Sequence, residues 1–235
     1  MLDAFRDLVL GSTCVGCARP GRLLCSSCAE GVDPTPAPAW PSPRPAGLHQ
    51  PWAATSYEGT VRAMILGHKE HRLLALAQPL GELLATAVAA ALDDQAVGAT
   101  DAPVAIVPVP SRPSTVRQRG HEPMTSLARV AAARLTAEGW PARCVPLLRT
   151  RPGLADQAGL DAAGRAANLA GAFRTHGPAL RALARAERAV HVVVCDDVLT
   201  TGATAAEAQR ALRAVGLHPL AAVAVAATRR RTPVG

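Results

Sequence analysis

The sequence predicts an α/β protein with a mostly parallel sheet flanked by helices, preceded by a small four-cysteine module. Three apolar runs, at residues 103–107, 192–195 and 220–227, lack the polar alternation of half-exposed strands and are typical of strands buried on both faces. Patterns of helical spacing separate these runs, and such alternation favours a parallel sheet with helical crossovers. The 235 residues suffice for one domain of this kind and a small accessory module.

The first module, residues 1–33, is predicted to bind zinc. Apolar residues at positions 2, 5, 8 and 9 have helical spacing and predict a short amphipathic helix. Two C-x-x-C pairs follow, and they consist of Cys14, Cys17, Cys25 and Cys28. Four thiolates complete the tetrahedral shell of a structural zinc and leave no open position for catalysis. Disulfides or a degraded site are the alternatives.

Residues 34–51 contain seven prolines and are predicted to be an extended linker. Proline at this density excludes a helix, because each proline removes a backbone N–H group. We therefore place the domain boundary in this stretch, and residues 52–235 form the second domain.

This second domain is predicted to begin with a short strand at residues 52–57 and a helical turn at residues 60–66. The cluster His-Lys-Glu-His at residues 68–71 has the side chains of a metal site, but an exposed, solvated helix face is its more ordinary interpretation. Residues 72–92 then repeat apolar side chains at helical spacing and predict a long helix.

The strand at residues 103–107 ends in a proline-rich turn that carries Ser111 and Arg112. At the carboxyl end of a central strand, where open α/β sheets bind ligands, a hydroxyl and a guanidinium are suited to contact a pyrophosphate. A plain loop fixed by its prolines explains the same residues equally well.

Residues 123–138 predict a helix closed by Gly139, and residues 143–148 predict a strand in which Pro146 suits only an edge or an end. The apolar pattern fades between residues 149 and 170, which indicates an arginine-bearing loop of the kind that covers active sites. Cys144 and Cys195 lie in strand-like runs, and we interpret both as buried small hydrophobic residues.

The sharpest functional signal follows the buried run at residues 192–195. Asp196 and Asp197 come directly after this run, and a turn then leads into the next helix. The turn and helix start consist of Thr200, Thr201, Gly202, Ala203 and Thr204. Free N–H groups at a helix start face an anion, so the stretch offers acceptors for sugar hydroxyls beside donors for a phosphate. The alternative is a buried strand whose polar end caps the helix. With the last strand, residues 190–227 form one βαβ unit.

Composition narrows the class of partner. The net charge of +7 permits an anionic partner such as a nucleotide or nucleic acid, although Lys69 is the only lysine. Aromatic residues make up 3% of the chain, which leaves few platforms for stacked bases. Acidic residues interrupt the apolar pattern at the start, no later apolar run reaches the length of a membrane span, and we expect a cytoplasmic protein.

The order of these motifs resembles the ComF family of competence-related proteins. The strand, acidic pair and Thr/Gly turn are similar to the phosphoribosyl pyrophosphate (PRPP) motif of type I phosphoribosyltransferases. The resemblance runs nearly end to end and includes the paired C-x-x-C motifs, Tyr57-Glu58-Gly59, Arg62, Lys69, Val107-Pro108-Val109-Pro110, Arg119-Gly120, Asp156-Gln157, Arg165, Asn168 and Gly171-Ala172-Phe173.

This resemblance implies a type I phosphoribosyltransferase fold behind the zinc module, and a link to competence machinery that takes up single-stranded DNA. It implies that Asp196 and Asp197 hold the ribose hydroxyls of PRPP, which binds together with Mg²⁺. The turn at residues 200–204 would hold the 5′-phosphate, and Ser111-Arg112 and Lys69 would receive the pyrophosphate.

Three functions stay open on the sequence. The chain transfers a phosphoribosyl group to an unidentified acceptor, or it is a non-catalytic competence factor that binds single-stranded DNA through its arginines, or it salvages a free nucleobase. The last function needs a base-reading hood, and none is specific in the sequence. His121-Glu122-Pro123 stand where many family members have Phe-Asn-Gln, so a substrate contact at those positions is not carried over.

Overall fold

The computed structural model describes residues 12–98, 102–111, 120, 122–151, 171–187 and 189–228. The strands are β1 (Ala37–Pro38), β2 (Pro51–Ser56), β3 (Val104–Pro108), β4 (Ala142–Cys144), β5 (Leu148–Thr150), β6 (Phe173–Thr175), β7 (His191–Leu199) and β8 (Pro219–Ala227). The helices are α1 (Ser26–Glu30), α2 (Gly59–Glu70), α3 (Ala77–Asp94), α4 (Pro123–Ala137), α5 (Gly177–Ala186) and α6 (Ala203–Arg213). The predicted helix at residues 2–9 lies outside the described residues.

Six strands form one sheet in the order β1-β2-β8-β7-β3-β4, and every neighbouring pair except β1 and β2 is parallel. β8 and β7 are the two central strands, and alternate side chains of β7 enter two different apolar clusters. Val193 and Cys195 pack with helices α3 and α4, whereas Val192 and Val194 pack with α6. This confirms the predicted α/β class and the mostly parallel sheet flanked by helices, since burial on both faces requires apolar residues without alternation.

The second sheet consists of the antiparallel pair β5 and β6. It packs against α6 beside the main sheet. The sequence analysis predicted one strand over residues 143–148, and this was wrong. Pro146 separates the edge strand β4 from β5, which belongs to the other sheet, because proline cannot continue a hydrogen-bonded ladder.

Helix α2 differs from its prediction in length and in burial. It spans Gly59–Glu70 rather than a single turn, and its buried face carries Val61, Ile65 and His68. His68 is 2% exposed, so the predicted exposed face was wrong at this residue. The positions 61, 65 and 68 recur at helical spacing, which places His68 with the apolar residues rather than with solvent.

The predicted long helix at residues 72–92 is a 3₁₀ turn, Leu74–Leu76, followed by α3. The helical segment Leu74–Asp94 is long and apolar enough to cross a membrane by length and composition alone, which the sequence analysis did not recognise. Half of its most apolar window is buried inside the fold. Helix α3 packs against α4, β2 and β8, so the core itself accounts for these apolar residues.

The crossing of α3 and α4 depends on one glycine. A Cβ atom added at Gly81 would lie 2.4 Å from the Cβ atom of Val130 and 3.0 Å from the carbonyl oxygen of Leu127. These contacts involve a branched side chain near its root and the backbone of α4, neither of which moves freely. The two helices therefore approach as closely as they do because position 81 has no side chain.

We expect Gly81→Ala to lower the free energy of unfolding by about 1–3 kcal/mol, because overpacking outweighs the better helix propensity of alanine. Urea denaturation measures the change. Gly177→Ala is the matched control, since its added Cβ would meet only the end of the flexible Arg181 side chain, at 3.3 Å. The control should be as stable as the parent chain or slightly more stable. A Gly81→Ala protein as stable as the control would contradict the tight crossing.

Candidate functional site

The acidic pair lies near the carboxyl end of β7, at the edge of the sheet where parallel strands present ligand sites. Asp197 is buried, with 7% of its surface exposed, and Asp196 is half-buried. The backbone N–H of Asp197 donates to Oδ1 of Asp196 at 2.9 Å. Two carboxylates on neighbouring residues thus follow directly after the apolar residues 192–195 of this strand.

Lys69 reaches this pair from the last turn of α2. Its Nζ atom lies 2.6 Å from Oδ2 of Asp197, and the side chains are 35% and 10% exposed. The resemblance gave Lys69 a pyrophosphate as its contact, whereas the structure brings it to the carboxylate itself. A carboxylate that is nearly excluded from water requires such a partner, since an unpaired buried charge is costly.

The ionisation of Asp196 is shifted strongly. Burial raises its pKa, the adjacent Asp197 carboxylate raises it further, and Lys69 lowers it, which leaves the pKa at about 7. The ordinary pKa of an aspartate is about 3.9. The pair therefore carries fewer than two negative charges near neutral pH, and Asp196 can donate as well as accept a hydrogen bond.

The turn between β7 and α6 is shaped by Gly202. Its φ angle of +72° lies in the left-handed region that favours glycine, and it caps the first turn of α6. Thr200 and Thr201 are exposed, and the Oγ1 atom of Thr201 accepts from the N–H of Ala203 at 3.4 Å. The first N–H groups of α6 have no carbonyl partner within the helix, so the turn presents donors together with hydroxyls.

The proline-rich stretch packs on this turn, and we call residues 34–50 the proline strap. A Cβ atom added at Gly202 would lie 2.8 Å from Leu48, 3.0 Å from Pro41 and 3.3 Å from Pro45. Gln209 of α6 binds the backbone of His49 twice, accepting from its N–H at 2.9 Å and donating to its carbonyl at 2.8 Å. The predicted linker is thus in direct contact with the turn, while the three-part division of the chain stays a prediction.

The predicted pyrophosphate turn is described only in part. Arg112 lies outside the described residues. The backbone N–H of Ser111 donates to Oε1 of Glu122 at 2.7 Å. Glu122 belongs to the segment in which the chain departs from the ComF pattern, and sequence reasoning gave it no role. Its carboxylate holds the backbone of Ser111 at the end of β3, beside β7.

The four N-terminal cysteines form a cluster in which all four sulfur atoms lie within 4.8 Å of one another. Sγ of Cys17 lies 3.7 Å from Sγ of Cys25. A tetrahedral zinc with Zn–S bonds of about 2.3 Å requires sulfur atoms about 3.8 Å apart, so the side chains fit a zinc ion. The N–H of Cys25 points to Sγ of Cys14 at 3.4 Å, a contact that stabilises a thiolate.

The cysteine cluster is packed against α2 rather than separate from the body. A Cβ atom added at Gly16 would lie 2.8 Å from Sγ of Cys28 and 3.0 Å from Oγ1 of Thr60, in the first turn of α2. At the other end of α2, a Cβ atom added at Gly67 would lie 3.5 Å from Val15. The first C-x-x-C loop therefore lies along the helix that carries Lys69.

The other two cysteines behave as buried residues. Cys195 is fully buried and Cys144 is half-buried. Burial raises the pKa of the Cys144 thiol to about 11, although Arg129 opposes the change, and burial raises the pKa of Cys195 well above its ordinary value. Both thiols stay protonated at neutral pH, which agrees with their interpretation as small hydrophobic residues.

Sequence reasoning missed two buried polar residues on α6. Glu207 is 5% exposed, pairs with Arg210, and accepts from the N–H of Phe173 at 3.2 Å. Gln209 is fully buried and binds the proline strap. A glutamate three residues before an arginine is a recognisable helical pair. No local pattern marks Gln209, because its partner is 160 residues away in the chain.

No protein-family model matches this chain, and no curated protein matches it at a significant level.

The pKa of Asp196 has a consequence for stability. A folded-state pKa of about 7 lies above the unfolded value of about 3.9, so the folded state binds more protons between these values. The free energy of unfolding should therefore fall as the pH rises from about 4 to about 7 through this group. Asp196→Asn should remove that part of the pH dependence and should be more stable than the parent chain at pH 8.

Urea denaturation at a series of pH values measures this difference. Asp93→Asn is the matched control, because it makes the same substitution at an exposed residue at the end of α3. Curves of unfolding free energy against pH that differ by a constant between the parent chain and Asp196→Asn would contradict the raised pKa.

Proposed function

We propose that this chain is a ComF-type protein that binds PRPP together with Mg²⁺ at the carboxyl end of β7. The observation that carries the proposal is the arrangement of a buried parallel strand, the Asp196-Asp197 pair and the Gly202 turn that opens α6. A sugar phosphate requires acceptors for vicinal hydroxyls and donors for a phosphate within a few ångströms of each other. Asp196 and Asp197 supply the acceptors, and the turn at residues 200–204 supplies the donors.

The residues have complementary roles in this proposal. Asp196 and Asp197 bind the 2′- and 3′-hydroxyls of the ribose and favour positive charge on the ring. The hydroxyls and N–H groups of residues 200–204 bind the 5′-phosphate. Lys69 is a cation held beside the acidic pair by the 2.6 Å contact, and it is positioned to meet the anionic pyrophosphate. Mg²⁺, when bound, neutralises part of the pyrophosphate charge.

Phosphoribosyl transfer is the reaction that such a site supports. The bond between C1 and the pyrophosphate oxygen breaks, and its electron pair leaves with pyrophosphate. The acceptor forms the new bond to C1 and loses a proton. Positive charge develops on the ring beside the carboxylates, and negative charge develops on the leaving group near Lys69, so the fixed charges favour the transition state. The ComF resemblance extends the proposal to a cytoplasmic role in the uptake of single-stranded DNA, which the net charge of +7 favours.

We further propose that the cysteine cluster binds one structural zinc ion. The mutual approach of Cys14, Cys17, Cys25 and Cys28 supports this assignment, because four thiolates fill a tetrahedral shell. The closed shell leaves no position for a substrate. The role of the metal is therefore to hold the two C-x-x-C loops together and against α2.

The PRPP site is tested by titrating the purified chain with Mg·PRPP in a calorimeter. The parent chain should bind, and Asp196→Asn/Asp197→Asn should weaken binding by at least about tenfold, because uncharged amides replace the two carboxyl groups that bind the ribose hydroxyls. Asp93→Asn/Asp94→Asn is the matched control, since it makes the same two substitutions on neighbouring residues at the exposed end of α3. Equal binding by all three proteins, or binding by none, would contradict the proposed site.

The zinc site is tested by elemental analysis of protein purified without chelators. We expect one zinc per chain in the parent and in Cys144→Ser, and loss of the metal in Cys17→Ser. Cys17 is exposed, so its replacement removes a ligand without leaving a buried cavity. A strong chelator should lower the melting temperature of the parent chain and of Cys144→Ser, but not that of Cys17→Ser. Parent protein without metal, or Cys17→Ser with a full complement, would overturn the assignment.

A further inference from the structure

The carboxylate of Glu122 occupies a backbone donor at the edge of the sheet where the acidic pair lies. β3 ends beside β7, and the N–H of Val109 donates to the carbonyl of Cys195 at 2.8 Å, one residue before Asp196. Two residues beyond Val109, the N–H of Ser111 donates to Oε1 of Glu122 at 2.7 Å. An N–H group at the carboxyl end of a strand is a donor for ligands, because open α/β sheets bind ligands at that edge. In this chain a carboxylate of the protein already accepts from it.

Glu122 is held in this position by the helix that it precedes. It is the N-cap residue of α4, and its backbone carbonyl accepts from the N–H of Ser126 at 3.3 Å. Its side chain makes no capping bond to α4 and instead reaches back 11 positions along the chain to Ser111. The positive end of the α4 dipole favours a carboxylate at this place, and a hydrogen bond to a charged acceptor is stronger than a neutral one. The contact is therefore built into the start of α4.

The charge of Glu122 differs from that of Asp197 in its surroundings. Asp197 is paired with Lys69 at 2.6 Å, whereas among the described residues no cationic side chain lies within 4.0 Å of the Glu122 carboxylate. Glu122 is half-buried, and charges repel more strongly there than in bulk water because the effective dielectric constant is lower. An anion that approaches Ser111 therefore meets both an occupied donor and a negative charge.

We propose that Glu122 is a specificity-determining residue that weakens the hold of the site on pyrophosphate. The position of the pyrophosphate rests on the proposed PRPP site, whereas the contact between Glu122 and Ser111 does not. The 5′-phosphate is assigned to the turn at residues 200–204, before α6, and Glu122 stands before a different helix. The carboxylate therefore acts on one end of PRPP and leaves the binding of ribose 5-phosphate unchanged.

This property is particular to the present chain, because Glu122 belongs to the segment that departs from the ComF pattern. PRPP binds at the cost of the bond between Ser111 and Glu122, and the carboxylate takes back the N–H group when pyrophosphate leaves. The site therefore binds PRPP less tightly than its other donors allow, and it releases pyrophosphate more readily after transfer.

Calorimetry on the full chain tests this role with three ligands: Mg·pyrophosphate, Mg·PRPP and ribose 5-phosphate. Glu122→Gln keeps an oxygen that accepts from Ser111 and removes the charge. It should bind the two pyrophosphate ligands about tenfold more tightly than the parent chain does, and ribose 5-phosphate within about twofold. Glu122→Ala, which lacks both the charge and the acceptor, should change the affinities in the same direction. Glu138→Gln is the matched control, since it makes the same substitution at the other end of α4 and should change none of them.

The ligands separate this role from the proposed function. Tighter binding of Mg·pyrophosphate by Glu122→Gln supports the role of Glu122 even in a chain that binds neither PRPP nor ribose 5-phosphate, a result that overturns the sugar-phosphate assignment. Pyrophosphate affinity in Glu122→Gln that equals or falls below that of the parent overturns the role while PRPP binding stands. Weaker binding of all three ligands by both variants overturns it too, because a residue that only supports the fold acts on every ligand. Failure of every protein to bind Mg·pyrophosphate has the same meaning.

Discussion

The contact between Lys69 and Asp197 allows a carboxylate to lie buried at the end of β7, and the rest of the site depends on it. β7 is buried on both faces along most of its length, so its charged side chains lie only near its carboxyl end. A charge at this depth requires a partner of opposite charge. Lys69 supplies the partner from a different layer of the fold, because α2 lies on the face of the sheet opposite α6. The acidic pair is therefore neither a simple helix cap nor a pair of solvated surface charges. It is a partly desolvated pair in which burial and the neighbouring carboxylate raise the pKa of Asp196, although Lys69 opposes the shift.

The proline strap imposes a second constraint on the same edge of the sheet. Leu48, Pro41 and Pro45 lie over Gly202, so the turn before α6 is covered by residues that precede the sheet in the chain. Proline restricts the backbone before folding, and the strap therefore loses little conformational entropy when it docks. In the proposed site this cover favours binding, because N–H donors held in fixed directions need no rearrangement when a phosphate binds.

The sequence predicted the structure correctly where a pattern within a short segment determines it. Continuous apolar runs identified β3, β7 and β8, and paired C-x-x-C spacing identified the cysteine cluster, because period and spacing are local properties. The errors arose where a local pattern was misinterpreted, or where contacts between residues distant in the chain determine the structure. His68 was assigned to solvent since its neighbours in the chain are charged, yet helical spacing places it with Ile65 in the core. The contact between Gln209 and the proline strap joins residues that are 160 positions apart in the chain, and no pattern within a short segment predicts such a contact.

The cysteine cluster and the acidic pair are connected through one helix. α2 has 12 residues and is about 18 Å long at 1.5 Å per residue. The loop around Gly16 meets its first turn at Thr60, the neighbouring Val15 reaches Gly67, and Lys69 follows two residues later. A metal ion that closes the loop therefore restrains the helix along its length, and with it the position of the cation. In the proposed zinc complex the metal has a mechanical effect on the proposed sugar-phosphate site and no chemical one, because a flexible N-terminal loop would leave α2, and so Lys69, less firmly placed against Asp197.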